Sequence, residues 1–199
     1  MKKLLLVLGC GRSGTSVLTR MLVASGYDQP YVTASHAEDT RVCKINDDLL
    51  KANGFKYYDV DKVIKKIPSK ISDRIKELTD EYDQFPNPVL KCPRMVFCLP
   101  AWLPHIEDPS YIGIYRREDE VADSQNRMHP EVSMEESLDY WFNHNRQLMR
   151  WVHELDFPVL SLNGPRFLEE AESVFKSHLG VKRFDGRAFK SKSVSGSCR

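Results

Sequence analysis

The chain has 199 residues, of which 41% are hydrophobic, and a formal net charge of +1. This composition suits one sizeable core and excludes a fibrous, intrinsically disordered or membrane-spanning chain. The near-neutral charge argues against a surface built for nucleic acid, so we expect any anion site to be local. Five cysteines without a C-x-x-C pair argue against a disulfide framework or a zinc site and favour a reducing, cytoplasmic location.

The first ten residues, MKKLLLVLGC, have two interpretations. Two lysines, an apolar run and Cys10 imitate a bacterial lipoprotein signal, but the run is shorter than the roughly 7 to 15 residues of a signal core. The alternative is a strand from Leu4 to Leu8 that is buried on both faces. We favour the strand, because cleavage before Cys10 would divide the glycine-rich stretch that follows.

Strand and helix patterns alternate along the rest of the chain. Further strands are predicted over 89–92, 111–116 and 158–162, and helices over 15–25, 39–52, 133–155 and 166–179. The amphipathic stretch 59–83 is interpreted as helical cover that breaks or kinks at Pro68. On the 133–155 helix, the residues expected to line the buried side are Met134, Leu138, Trp141, Phe142, Leu148 and Trp151.

This alternation predicts an α/β fold, a three-layer sandwich with a central parallel sheet of about four to five strands. We expect a single domain over residues 1–185, followed by a segment, 186–199, that lacks apolar periodicity and is expected to be mobile. In such folds, ligands bind at the carboxyl ends of the strands. Functional residues are therefore expected just after residues 8, 92 and 115.

The stretch GCGRSGTS, residues 9–16, follows the first predicted strand and opens the first predicted helix. Its glycines allow backbone N–H groups to converge on an anion at the helix start, and Arg12 adds a planar donor fork for phosphate or sulfate. A P-loop kinase needs lysine where Thr15 stands and an aspartate for magnesium on another strand, whereas YIGIYR ends in Arg116. A cysteine phosphatase loop needs arginine in place of Ser16. The stretch therefore predicts an anion site without a metal.

The RSGTS segment before a helix resembles the 5′-phosphosulfate loop of the sulfotransferases that depend on PAPS, 3′-phosphoadenosine 5′-phosphosulfate. A second signature of that family is an arginine at a strand end with a serine eight residues later, which matches Arg116 and Ser124. The chain is also similar to a bacterial-type subgroup in HAED (36–39), INDDLL (45–50) and the VLKCPRMVFCLPAW segment, which contains Lys91, Pro93, Arg94 and Trp102. It departs from the family pattern at Cys92, where an acidic residue is usual, and at Glu118, where proline is usual.

The resemblance implies a P-loop NTPase-like fold and transfer of a sulfuryl group from PAPS to a hydroxyl or amine, with release of PAP and no metal required. The acceptor is expected to be a small molecule or carbohydrate. The residues that the resemblance assigns to PAPS are Gly11, Arg12, Ser13, Gly14, Thr15, Ser16, Arg116 and Ser124.

Sulfuryl transfer leaves negative charge on the departing phosphate and releases a proton from the acceptor, so it needs donors and a base. Arg12, Thr15 and the loop amides are expected to stabilise the charge, and Lys91 is expected to bind the sulfuryl group or an acidic acceptor. The resemblance points to Glu38 as the base, with His36 as the competing base. Two alternatives stay open at this point: a P-loop kinase-like phosphotransferase and a nucleotide-binding protein without catalysis.

Overall fold

A computed structural model describes residues 3–32, 37–56, 60–187 and 189. The strands are β1 (Leu5–Gly9), β2 (Val89–Lys91), β3 (Ser110–Tyr115) and β4 (Val159–Ser161). The helices are α1 (Thr15–Ala24), α2 (Thr40–Ala52), α3 (Ser69–Tyr82), α4 (Met95–Trp102), α5 (Glu118–Met128), α6 (Met134–Leu155) and α7 (Phe167–Ser177).

The four strands form one parallel sheet in the order β2-β1-β3-β4. The register places Val7 opposite Lys91 and Gly9 opposite Ile114. Because the strands are parallel, the segments that follow β1, β2 and β3 all leave from the same edge. The sheet confirms the predicted α/β class and brings the three predicted functional segments to one place.

Helices cover both faces of the sheet, as the apolar run of β1 predicts. Its alternate side chains divide between two cores, since successive residues of a strand point to opposite faces. Leu6 and Leu8 pack with α2, α3, α4 and α6, whereas Leu5 and Val7 pack with α1 and α7. The result is the three-layer sandwich that the sequence predicts.

The helical interpretation of the stretch before Pro68 is wrong. Helix α3 begins at Ser69, and residues 60–68 have no regular structure. Proline disfavours helical geometry in the residue before it. The backbone groups just before Pro68 therefore form hydrogen bonds with a side chain instead of within a helix. The Asn53 side-chain oxygen accepts from the N–H groups of Lys65 and Lys66, and its amide nitrogen donates to the Lys66 carbonyl.

Helix α6 has the predicted extent, but its predicted buried face is correct only in part. Leu148 and Trp151 are buried and Trp141 is partly buried, whereas Met134, Leu138 and Phe142 are exposed. The buried positions of this helix include polar side chains that form hydrogen bonds or contact aromatic rings, namely Ser137, Tyr140, His144, Asn145 and Gln147. The helix is therefore anchored by hydrogen bonds, such as that from Trp151 Nε1 to the Val96 carbonyl at 2.7 Å, as well as by apolar packing.

Two helices, α4 and α5, were not predicted; α4 contains Pro100. Among the described residues, no helix is long and apolar enough to cross a membrane. Residues 190–199 lie outside the described residues, and so does most of the segment that is expected to be mobile. The single-domain assignment stays a prediction.

Candidate functional site

The turn after β1 is tight and uses left-handed backbone geometry twice. Arg12 has a φ of 67° and Gly14 a φ of 98°. The φ of Gly14 strains any other residue, and a Cβ atom there would also lie 2.7 Å from a methyl carbon of Leu162, so glycine is strongly favoured at this position. Ser13 is fully buried, and both its hydroxyl and its N–H donate to the Cys10 carbonyl, at 2.5 and 3.2 Å. Ser13 and Gly14 thus shape the turn that presents Arg12.

Helix α1 begins directly after this turn, with no side-chain cap from any described residue. The N–H groups of a first helical turn lack partners within the helix, and the helix dipole adds about half a positive charge there. Gly11, Arg12, Thr15 and Ser16 line a cleft of about 290 Å³ at this helix start. The arrangement suits an anion.

Lys91 reaches the same place from the neighbouring strand. Its Nζ lies 2.6 Å from Glu38 Oε1 and 3.2 Å from Ser16 Oγ, and its side chain has no exposed area. Burial lowers the pKa of Lys91, and the charge of Glu38 opposes this effect only in part. Lys91 on strand β2 therefore places an ammonium group beside the helix start, where the loop itself has Thr15 instead of a lysine.

Glu38 lies just before α2 and lines the cleft. One carboxylate oxygen accepts from Lys91, and the other lies 3.1 Å from the Cys43 thiol. Asp39 caps α2 by accepting from the Arg41 N–H, which fixes the chain next to Glu38. With 19% of its side chain exposed, Glu38 is held by neighbours yet reachable from the cleft. His36 lies outside the described residues, so its competition with Glu38 stays a prediction.

The two phosphate signatures meet in the structure. Arg12 Nε donates to Ser124 Oγ at 2.9 Å, and Arg116 Nη1 donates to the Arg12 carbonyl at 3.2 Å. Arg116 also pairs with Glu120, one turn into α5, at 2.7 Å. Arg116 and Ser124 therefore lie directly behind the Arg12 side of the cleft.

The C-terminal half of α5 provides cleft residues that sequence reasoning missed. Gln125, Met128 and His129 line the cleft together with Arg94, which forms an ion pair with Asp47 at 2.5 Å. The missed residues follow Ser124 by one, four and five positions, a spacing that keeps them on one side of a helix. If α5 had been predicted as a helix, its spacing would have placed these three residues on the same side as Ser124.

No protein-family model matches this sequence, and no curated protein matches it. The structure is similar to the sulfotransferase domain from the curacin biosynthetic pathway, with a TM-score of 0.52, 15% identity, and coverage of 91% of this chain and 71% of that one. It is also similar to TT1252 from Thermus thermophilus, with a TM-score of 0.50, 16% identity, and coverage of 92% and 100%. The fold is therefore like that of a sulfotransferase domain.

Proposed function

We propose that this protein is a sulfotransferase that moves a sulfuryl group from PAPS to a hydroxyl or amine acceptor and releases PAP. The observation that carries the proposal is the contact between the two phosphate signatures. Arg12 and Ser124 are 112 residues apart in sequence and share a hydrogen bond, and Arg116 donates to the Arg12 backbone. The fold likeness to a sulfotransferase domain is compatible with this function.

The cleft and the residues directly behind it carry donors that suit an adenylate with phosphate or sulfate at both ends. The N-terminal turn of α1 and the Arg12 guanidinium offer donors for the 5′ end, and Ser16 and Lys91 lie beside them. Arg116 and Ser124 offer a charge and a hydroxyl for the 3′-phosphate. Guanidinium groups bind such anions through two parallel hydrogen bonds. On binding, Arg12 would exchange its bond to Ser124 for one to the ligand.

In this proposal, PAPS supplies the sulfuryl group and the leaving phosphate. Glu38 accepts the proton of the acceptor hydroxyl or amine, because it is the carboxylate on the cleft wall. Lys91 orients Glu38 through its 2.6 Å contact and brings positive charge to the helix start. Arg12 and the first-turn N–H groups stabilise the charge that grows on the departing phosphate.

Calorimetry with PAP tests the proposal. We expect binding in the micromolar range or tighter without magnesium, and binding about tenfold or more weaker in Arg116→Ala, since a charge-assisted bond contributes about 1.5–3 kcal/mol. Arg117→Ala is the matched control, because Arg117 is the adjacent, exposed arginine and pairs only locally with Asp119 among the described residues. Equal affinities of the two variants would contradict the proposal.

One contact supports a second candidate function, phosphotransfer. The Lys91 ammonium lies 3.2 Å from Ser16 Oγ, where a P-loop lysine would otherwise supply charge. Tighter binding of ATP with magnesium than of PAP would favour this candidate. Binding of PAP without transfer to any member of an acceptor panel would instead favour a nucleotide-binding protein without catalysis.

A further inference from the structure

Two thiols from different elements meet next to Glu38. Cys43 in α2 and Cys92 directly after β2 have their Sγ atoms 3.7 Å apart, although 49 residues separate them in sequence. Cys43 Sγ also lies 3.1 Å from Glu38 Oε2. Cys92 is fully buried and Cys43 is partly exposed, so a small reagent reaches the pair from the side of Cys43.

The protons of these thiols define how the pair is connected. Cys43 has one S–H, so it donates either to Glu38 or to Cys92 at a given moment. When both thiols are protonated, the Cys92 S–H can donate a hydrogen bond to Cys43 Sγ while the Cys43 S–H donates one to Glu38. In this protonation state the pair gives Glu38 a hydrogen-bond donor on the oxygen that Lys91 does not hold.

The surroundings favour Cys92 as the sulfur that ionises. Burial opposes its ionisation, but the hydrogen bond from Cys43 and the charge of Arg94 outweigh burial and lower the pKa of Cys92 to about 7. Arg94 Nη1 lies 3.9 Å from Cys92 Sγ. The hydrogen bond to Cys92, burial and the nearby negative charges raise the pKa of Cys43. A thiolate next to a thiol is the arrangement from which disulfides form.

We infer that Cys43 and Cys92 close to a reversible disulfide when the protein meets a peroxide, and that closure inactivates the site at Glu38. The Cys92 thiolate takes the Cys43 proton across their contact, and the Cys43 thiolate that results attacks one oxygen of hydrogen peroxide. This step forms a sulfenic acid on Cys43 and releases hydroxide, which takes the proton from Cys92 as water. The Cys92 thiolate then attacks Cys43 Sγ and hydroxide leaves, so one thiolate, one thiol and one peroxide give one disulfide, one water and one hydroxide.

Closure changes the surroundings of Glu38 in two ways. The Cys43 proton that Glu38 accepts disappears. The sulfur atoms must also approach by about 1.7 Å, from 3.7 Å to the disulfide length of about 2.05 Å, so the two cysteine side chains, or α2 itself, must move beside Glu38. A misplacement of about 1 Å near reacting groups can lower a rate about 10²-fold. The inactivation rests on the proposed function of Glu38, whereas disulfide formation does not.

Peptide mapping of the peroxide-treated full-length protein tests disulfide formation. We expect a linked Cys43–Cys92 peptide that dithiothreitol removes, that is lost in Cys43→Ser and Cys92→Ser, and that persists in Cys198→Ser, since Cys198 lies outside the described residues. Oxidation of Cys43 to sulfinic acid without the link, or a link to another cysteine, would overturn the inference.

The ratio of PAP release by oxidised and reduced protein tests inactivation. We expect the wild-type ratio to fall to about one tenth or below, because Glu38 is displaced, to recover with dithiothreitol, and to stay near one in Cys43→Ser, which lacks the sulfur that peroxide reaches. A linked pair with an unchanged ratio would overturn inactivation. If the reduced protein releases no PAP with any acceptor, the proposed function fails and inactivation fails with it, while the peptide map still decides whether the pair closes.

Discussion

The two ends of the candidate site use ion pairs of nearly equal length in very different surroundings. At the inner end, formed by Ser16, Glu38 and Lys91, the pair is 2.6 Å long and the lysine side chain is fully buried. At the outer end, formed by Arg116, Glu120 and Ser124, the pair is 2.7 Å long and its side chains are 26% and 31% exposed. Contact length alone therefore does not predict how much an ion pair contributes to stability or how easily a ligand replaces one partner.

Solvent decides the difference between the inner and outer ends. A buried pair is poorly screened, and removal of one partner leaves a charge that water cannot reach. An exposed pair is worth about 0–1 kcal/mol, because water replaces either partner. We therefore expect the inner end to set geometry and stability, and the outer end to exchange Glu120 for a ligand phosphate at low cost.

The largest effect is expected for Glu38→Gln. Loss of a general base lowers turnover by about 10²–10⁴-fold, whereas PAP binding should not weaken, since Gln keeps the shape of the side chain and removes a negative charge from the cleft wall. Steady-state kinetics and calorimetry measure the two quantities. Glu77→Gln, an exposed carboxylate on α3, is the control. Turnover within about twofold of wild type would show that Glu38 is not the base.

The next effect is expected for Lys91→Met on the free energy of unfolding. Loss of the ammonium leaves Glu38 without its charge partner, and we expect destabilisation by about 2–4 kcal/mol, somewhat below the range for fully buried pairs because Glu38 is 19% exposed. Arg116→Met removes the cation of the outer pair and should cost less than about 1 kcal/mol. Urea denaturation compares the two variants.

Addition of Glu38→Gln to Lys91→Met sharpens this comparison. The second change removes the carboxylate that the first leaves unpaired, so the double variant should be more stable than Lys91→Met alone. Equal losses in Lys91→Met and Arg116→Met, or further destabilisation in the double variant, would mean that burial does not distinguish the two pairs.

The smallest effect is expected for Glu120→Gln on PAP affinity. Removal of this carboxylate frees Arg116 and takes negative charge away from the expected phosphate, so binding should tighten by about three- to tenfold, most at low salt. Gln can still accept the hydrogen bond that Asn163 donates to Glu120. Glu118→Gln, exposed on the same helix, should change affinity by less than about twofold. Weaker binding in Glu120→Gln would show that Glu120 positions Arg116.

Local sequence signals predicted the parts of the fold that local forces decide. The apolar run of β1, the glycine turn and the start of α1 follow each other within about twenty residues, and all three lie where they were predicted. The sheet order and register depend on contacts between distant segments and have no such signal. The contact between Lys91 and Glu38 needs both the register of β2 and the path into α2, so spacing alone does not reveal it.

The error on α6 has a different physical origin. An apolar pattern alone does not orient this helix, because its buried face also holds polar side chains that each form a hydrogen bond through one of their atoms, such as His144, Asn145 and Gln147. His144 is fully buried, with Nδ1 2.8 Å from the Tyr140 carbonyl, and burial lowers the pKa of His144 to about 3. Phe142, which the pattern assigned to the core, is instead among the most exposed apolar residues of the described chain.

The origin of Lys91 on a neighbouring strand matters beyond this molecule. A pattern that requires glycines and lysine in one contiguous stretch passes over this chain, because the cation arrives from a segment 75 residues away. A spatial query for an ammonium on the adjoining parallel strand, within reach of a hydroxyl in the first turn of the helix, would retrieve it. Candidate anion sites assembled from two strands in this way are missed by linear motifs and can be found from three-dimensional structure.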